Sequence, residues 1–327
     1  MASIRNRGGK WQARVQRKGY EDVVKSFLKR SDAERWARSV ELEMDRGSYV
    51  SRSEAERCTF QEILLRYIAE VCPTKRSGLD ESIRLRKTAQ HRIANLSMAA
   101  LTPKVIAEFR DERLTQVAPN TVIREMAYLS AIINHARREW GINVPNPLEL
   151  VRKPPMPEGR NRILSDEEEA RLLIEMTPVG RRSVWVKPAV ILSLETGMRR
   201  GELLSLKWSN VDLQKRIAYL PITKNGTSRV VPLSSQAVGV LVQLPRDISG
   251  LVIPMKAAAL HACFKRACTR SDLSDFHWHD LRHTAISHLS KKLPNLIELA
   301  AVSGHRSLAM LKKYYHPSAT ELALKLG

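Results

Sequence analysis

Apolar and polar positions repeat along this chain in two different rhythms. In KWQARVQRKG, Trp11, Ala13 and Val15 alternate with Gln12, Arg14 and Gln16, the period of a strand with one buried face. Lys18 and Gly19 suit a turn, and residues 23–27 read as a returning strand. Ser31 and Glu34 make a capping-box pattern that opens a helix through Trp36, Val40 and Met44, stopped near Gly47. Residues 1–52 are therefore predicted to form a three-stranded sheet with one helix packed on it.

From residue 56 to 150 the rhythm is helical. Phe60, Ile63, Leu64, Tyr67 and Ile68 form a 3.6-residue stripe that Cys72 and Pro73 close. Thr102 and Pro103 start another helix, with proline in the first helical position. Residues 121–140 predict a long amphipathic helix that buries Ile123, Met126, Leu129, Ile132, Ile133 and Ala136. A helical bundle follows from these patterns. Pro145, Pro147, Pro154, Pro155 and Pro157 then break the texture, and residues 151–162 read as an extended linker. Residues 163–327 mix helices with short strands. Ser165 before Asp166, Glu167 and Glu168 opens a helix, and RIAYLP and RVVPLS flank Lys224, Asn225 and Gly226 as a hairpin would. The fold class expected is mainly α with small β-sheets, in three domains: sheet plus helix, helical bundle, and a mixed α+β domain.

Charge changes the picture next. The 327 residues carry 54 Lys and Arg against 34 Asp and Glu, a formal charge of +20, which favours a polyanionic partner. Arg14, with Gln12 and with Arg5, Arg7 and Lys25 nearby, gives the first sheet a basic face suited to a DNA groove. Arg84, Arg86, Lys87 and Arg92, with His91, make a basic stretch in the bundle, interleaved with Ile83, Leu85 and Ile93. Arg152, Lys153, Arg160 and Arg162 make the linker basic, as a connector lying on DNA would be. Cys58, Cys72, Cys263 and Cys268 form no CxxC pair and read as free thiols of a reducing cytoplasm. The first residues, MASIRNRGGKWQARVQ, lack the apolar core of a secretory signal, and no apolar run reaches the roughly 18 residues of a membrane helix. No membrane partner is expected.

The remaining question is chemistry. Transfer of a phosphodiester without a metal needs fixed cations on the non-bridging oxygens, an in-line nucleophile and a proton for the leaving oxygen. Arginine suits the first task because its planar fork meets two oxygens and keeps its charge; lysine and histidine suit proton transfer. The last domain supplies each type. LSLETGMRRGELLSLKW holds Arg199 beside a helix-ending Thr-Gly, and Lys224 sits at the predicted hairpin tip. HWHDLRHTAISHL places His279 and Arg282 three residues apart, and SGHRSLAMLKKYYHP places Tyr314 nine residues after His305.

TGMRRGEL, HDLRH, GH and the following tyrosine stand in an order and spacing that resemble the catalytic domain of the tyrosine recombinases (phage integrase family), over residues 164–316. The resemblance implies that Arg199 and Arg282 clamp the scissile phosphate, Lys224 protonates the leaving 5′ oxygen, and His279 assists as acid or base. His305 would bond a non-bridging oxygen, and Tyr314 rather than Tyr315 would attack to give a 3′-phosphotyrosine. Residues 1–52 look like an arm-type DNA-binding domain and residues 56–150 like a SAM-like core-binding domain. NPLELVRKP and AAVSGHRSLAMLKKYYH look like shufflon-type recombinases in particular. Ser303 departs from the leucine common before the Gly-His pair and reads as a packing change. The family implies double-stranded DNA as partner, two domains closing on it, a homotetramer on paired sites, possible accessory DNA-bending or directionality factors, and a cytoplasmic, nucleoid-associated, bacterial or phage-encoded protein. No cofactor is expected, because a phosphotyrosine conserves the energy of the broken bond.

Three rival readings are weaker. His261, Cys263, Cys268, His277 and His279 lie close in sequence but match no common zinc spacing, so no metal is expected. A catalytically silent DNA-binding protein has no use for the ordered Arg, Lys, His, Arg, His and Tyr. A Tyr-type topoisomerase shares the chemistry but has no need of two upstream modules for site recognition. The apolar tail, with Leu322, Leu324 and Leu326, suits docking on a neighbouring protomer or on its own domain equally.

Overall fold

The computed structural model describes residues 2–47, 49, 53–222, 226–293, 295–314 and 319–326. They form two compact units, Met1–Glu158 and Gly159–Gly327.

The first unit has two hydrophobic cores. Strands β1 (Ser3–Arg7), β2 (Lys10–Val15) and β3 (Val23–Phe27) pair antiparallel in chain order, with positive φ at Gly8 and Gly9 making the two-residue turn between β1 and β2. The predicted alternation holds: Ala13 and Val15 are buried against Ala33, Ala37, Val40 and Met44 of α1 (Arg30–Asp45), while Arg14 is exposed. The expected Ser31–Glu34 capping box does not form. Helix α1 starts at Arg30 with Lys29 at its cap and no side-chain cap bond, because the Glu34 carboxylate instead takes the Arg30 guanidinium one turn earlier, at 2.8 Å. Lys25 is also corrected. It stands opposite Ala13, so it lies on the helix side of the sheet and not with Arg14, and its ammonium pairs with Glu56 at 2.9 Å. The open face carries Arg5, Arg7, Lys10, Gln12 and Arg14, and Arg14 itself is bonded to Asp22.

The second core belongs to helices α2 (Ser53–Arg57), α3 (Phe60–Glu70), α4 (Gly78–Ala89), α5 (Pro103–Leu114) and α6 (Pro119–Glu139). Thr59 and Glu62 cap α3 reciprocally, and each member of the predicted 60–68 stripe is buried. Thr102 caps α5, with Pro103 in its first turn. Helix α6 begins earlier than the periodicity suggests, at Pro119, and buries Val122 while Ile123 is only half-buried. On α4, Leu85 points inward, whereas Ile83, Arg84, Arg86 and Lys87 are exposed. Val144, Leu148 and Val151 join this core, so the front of the proline-rich segment is packed.

Gly78 makes a sharp test of that packing. A Cβ there would lie 1.7 Å from the carbonyl oxygen of Cys72. Helix propensity alone favours alanine by about 1 kcal/mol, but displacing a backbone carbonyl outweighs it. Gly78→Ala is expected to lower stability by about 3 kcal/mol, read as a shift in urea midpoint; an unchanged or higher midpoint would contradict the close approach.

In the second unit, Ser165 and Glu168 cap α7 (Asp166–Glu175) as predicted, followed by α8 (Val186–Thr196) and α9 (Arg200–Leu204). A small antiparallel sheet of β4 (Val211–Asp212), β5 (Ile217–Leu220) and β6 (Arg229–Pro232) comes next. Ile217 pairs with Pro232 and Leu220 with Arg229, so β5 and β6 form the predicted antiparallel hairpin. Lys224 and Asn225 lie outside the described residues. Helices α10 (Ser235–Gln243), α11 (Ala257–Arg270), α12 (Trp278–Lys292), α13 (Leu296–Ser303) and α14 (Ala319–Leu326) complete the unit. Helix α12 packs on α8 and α13. Arg160 and Arg162, expected on DNA, are held within this unit instead: Arg160 binds Asp275 and the buried Asp280, each at 3.0 Å, and Arg162 binds Glu168 at 2.8 Å. Leu324 and Leu326 on α14 are exposed. Among the described residues no helix is long and apolar enough to cross a membrane, and no three acidic, His or Cys side chains are grouped as metal ligands. Cys263 and Cys268 both sit on α11, Cys268 in its core face.

Candidate active site

Two helix ends create the site. Helix α8 stops at Gly197, whose φ of +59° lets the chain reverse, and Arg199 then caps α9. Helix α13 stops in the same way at Gly304, φ +69°, and His305 follows. The carbonyls left at these two C-termini point at one side chain. Arg282, projecting from α12 and only 3% exposed, donates one Nη to the Gly197 carbonyl and the other to the Ser303 carbonyl, the latter at 2.6 Å. The negative ends of two helices thus compensate a buried cation. Burial, reinforced by the charges of Arg199 and Arg229, still pulls its pKa down to about 9, so it stays charged at neutral pH.

Glu202 organises the other cations. Its carboxylate accepts from the Arg199 backbone at 3.0 Å, from Arg199 Nη1 at 2.8 Å and from Arg229 Nη2 at 2.8 Å. Burial alone would raise its pKa; the Arg199 backbone bond and Arg229 outweigh that and hold it below the usual glutamate range. Arg229 also donates to the Val302 carbonyl at 2.5 Å, tying β6 to the end of α13.

His305 Nε2 lies 3.4 Å from Arg282 Nη2, and its Nδ1 lies 2.8 Å from Ser303 Oγ. Ser303 is therefore more than a packing change. Its hydroxyl donates to the Leu299 carbonyl at 2.6 Å, leaving the oxygen to accept from His305 and orient the ring. Tyr314 ends a 3-10 turn, Lys312–Tyr314, beside the buried Leu311, and its hydroxyl is hydrogen-bonded to His283 Nδ1. Burial pushes the phenol up to about 12, with the Arg282 charge pulling the other way. His279 is exposed one turn before His283, the two rings edge to face at 5.1 Å.

The fold thus gathers Arg199, His279, Arg282, His305 and Tyr314 from α9, α12 and the chain after α13; Lys224 and Tyr315 lie outside the described residues. Glu202, Arg229 and His283 escaped the sequence reading, which takes Ser303 only as a packing change. Glu202, three residues after Arg199, carried a usable signal; the contacts of Arg229 span 27 and 73 positions and left none.

The phage integrase family matches residues 163–321, and its N-terminal domain matches residues 57–154. A shufflon-specific DNA recombinase of Escherichia coli is 39% identical over 83% of this chain and 72% of its own length. A Haemophilus influenzae protein described as an integrase or recombinase is 34% identical over 98% of this chain and 89% of its own.

The chain belongs to the phage integrase family.

These are the tyrosine recombinases, enzymes that cleave and rejoin DNA at specific sites. Structural comparison agrees on the fold: a lambda integrase, solved as a tetramer bound to a Holliday junction, superposes with a TM-score of 0.68 at 20% identity, over 96% of this chain and 94% of that one. In this family member the basic residues expected to meet DNA are accessible: Arg14, Arg84, Arg86, Lys87, Arg92, Arg152 and Lys153 are all exposed. Arg92 shares Glu112 with His91, and the Arg152 carbonyl accepts from Arg110 at 2.7 Å.

Proposed function

We propose that this recombinase breaks DNA by attack of the Tyr314 hydroxyl on a phosphodiester held between Arg199 and Arg282. The observation that carries the reading is the convergence of these arginines and His305 beside the Tyr314 phenol. Two fixed cations and an imidazole meet the charge that accumulates on the non-bridging oxygens, and Lys224 protonates the departing 5′ oxygen. His279 exchanges protons with solvent or DNA. The 3′-phosphotyrosine keeps the bond energy, so rejoining needs no ATP and no other cofactor.

Arg14 and its sheet, residues 1–52, bind arm-type sites; Arg84, Arg86, Lys87 and Arg92, in residues 56–150, bind core sites, with Arg152 and Lys153 on the connector. The active assembly is a homotetramer on two paired sites, with accessory bending or directionality factors setting its direction. The likeness to a shufflon-specific recombinase makes inversion between inverted repeats the event to assay first.

Covalent trapping tests the reading. Wild type and Tyr314→Phe are incubated with fragments of the protein's own replicon and run on denaturing gels. Wild type is expected to yield a protein–DNA adduct and Tyr314→Phe none, with equal binding on native gels. An adduct in the variant moves the nucleophile elsewhere. Tight binding to the mapped site with no adduct from either protein would leave a silent DNA-binding protein. Relaxation of any supercoiled plasmid by a single protomer would favour a topoisomerase.

A further inference from the structure

The residue after Arg282 has no part in that scheme, yet it touches the reacting atom. His283 is half-buried on α12. Its Nδ1 is hydrogen-bonded to the Tyr314 hydroxyl, and the two rings stack with centroids 5.8 Å apart and planes 27° from parallel. One turn earlier the exposed His279 ring meets the His283 ring edge-on. Three rings therefore connect a solvent-exposed imidazole to the phenol.

A phenol that burial pushes up to about 12 attacks phosphorus only if its proton has somewhere to go. Arg199 and Arg282 already carry their full complement of protons and cannot accept one. The two ring nitrogens of His305 face Arg282 and Ser303. His283 is in hydrogen-bond contact with the oxygen itself, through a nitrogen that accepts when the ring is neutral with its hydrogen on Nε2.

Taking Tyr314 as the nucleophile, we propose that His283 Nδ1 is the general base that receives its phenolic proton. As the proton moves to Nδ1, an oxygen lone pair of Tyr314 forms the bond to phosphorus. The 5′ oxygen leaves with the electron pair of the broken P–O bond and is protonated by the acid assigned to Lys224. In the rejoining step the 5′ hydroxyl attacks and gives its proton back to the group assigned to Lys224, the phenolic oxygen leaves with the electron pair of its bond to phosphorus, and His283 returns its proton to that oxygen. The role is catalytic rather than positional, because the nitrogen touches the reacting oxygen.

Two substitutions separate the base from a prop. Asparagine keeps a hydrogen-bonding atom near the Nδ1 position without basicity, and alanine leaves a gap that free imidazole can enter. On a nicked duplex carrying the cleavage site mapped with wild type, His283→Asn and His283→Ala are expected to bind normally and form adduct about 100-fold more slowly. Imidazole in the buffer is expected to restore part of the His283→Ala rate. Adduct formation at the wild-type rate in either variant overturns the proposal, and a faster rate would make His283 a latch that restrains Tyr314. Full activity in His283→Asn, with a loss in His283→Ala that imidazole leaves untouched, would make it a prop and overturns the proposal too. The asparagine variant, which keeps a planar polar group and more of the volume than alanine, carries the comparison if alanine unfolds the domain. Tyr314→Phe runs alongside: an adduct there breaks the underlying assignment of the nucleophile, whereas no adduct there with wild-type rates in the His283 variants breaks this proposal alone.

Discussion

Arg282→Ala is expected to abolish strand cleavage and to weaken the second unit at the same time, because one side chain serves both ends. On the chemical side it is one of the two guanidinium groups proposed to clamp the phosphate, and removing a preorganised donor of this kind costs about 100- to 1000-fold in rate. On the structural side its two Nη groups satisfy the terminal carbonyls of Gly197 and Ser303. Each carbonyl left buried without a donor costs about 1–3 kcal/mol. A partial offset comes from relief of repulsion with Arg199 and Arg229. Arg282→Lys separates the two effects. An ammonium keeps the charge but cannot span both carbonyls with a rigid fork, so stability is expected to fall between wild type and alanine while cleavage stays at least about 100-fold down. Urea midpoints and adduct-formation rates on a mapped site check both arms. Cleavage by Arg282→Ala within tenfold of wild type would remove this residue from the phosphate clamp.

What Arg282 touches also marks the limit of what the sequence reveals. Its chemical type and its place in HDLRH stand out in the chain, as do the stripe from Phe60 to Ile68, the alternation of Trp11, Ala13 and Val15, and the Ser165–Glu168 cap. All of these rest on spacings of four residues or fewer. Features that failed depend on competition or on long-range placement. Ser31 and Glu34 fit a capping box, but Arg30 offers Glu34 a stronger partner. The face on which Lys25 lies follows from strand register, where one step reverses every side chain. In the site, Arg229 reaches Val302 only because β6 meets α13, and His283 reaches Tyr314 only because α12 meets the Lys312–Tyr314 turn. Residues set in local motifs were legible; partners brought in by long-range packing were not.

Glu202 is the clearest of the holding residues, and Glu202→Gln is expected to cost about 3–5 kcal/mol of stability near pH 7, the usual loss when one member of a buried ion-paired group is removed. The glutamine leaves Arg199 and Arg229 facing each other and Arg282 with no anion between them. The size of this loss should depend on pH, in a direction that the geometry fixes. Arg199 and Arg229 hold the folded-state pKa of Glu202 below the ordinary value of 4.5 despite burial. The native state therefore binds fewer protons than the unfolded chain in that region. The carboxylate's contribution is complete above about pH 4.5 and drains away as the pH falls through the lower folded-state value. Wild type and Glu202→Gln should be furthest apart in urea midpoint near neutral pH, and their curves should approach each other as the pH falls below 4.5. A gap that stays constant across that range would mean the carboxylate's charge is not what stabilises the site. Adduct formation is expected to fall about 100-fold in the same variant, since the amide keeps one oxygen acceptor and Arg199 loses either the bond to its backbone or the bond to its guanidinium. Glu202→Asp keeps the charge but shortens the reach, so it should retain the acid sensitivity while losing one of the two arginines. That split ties the stability term to the carboxylate's charge and the cleavage term to where its oxygens sit.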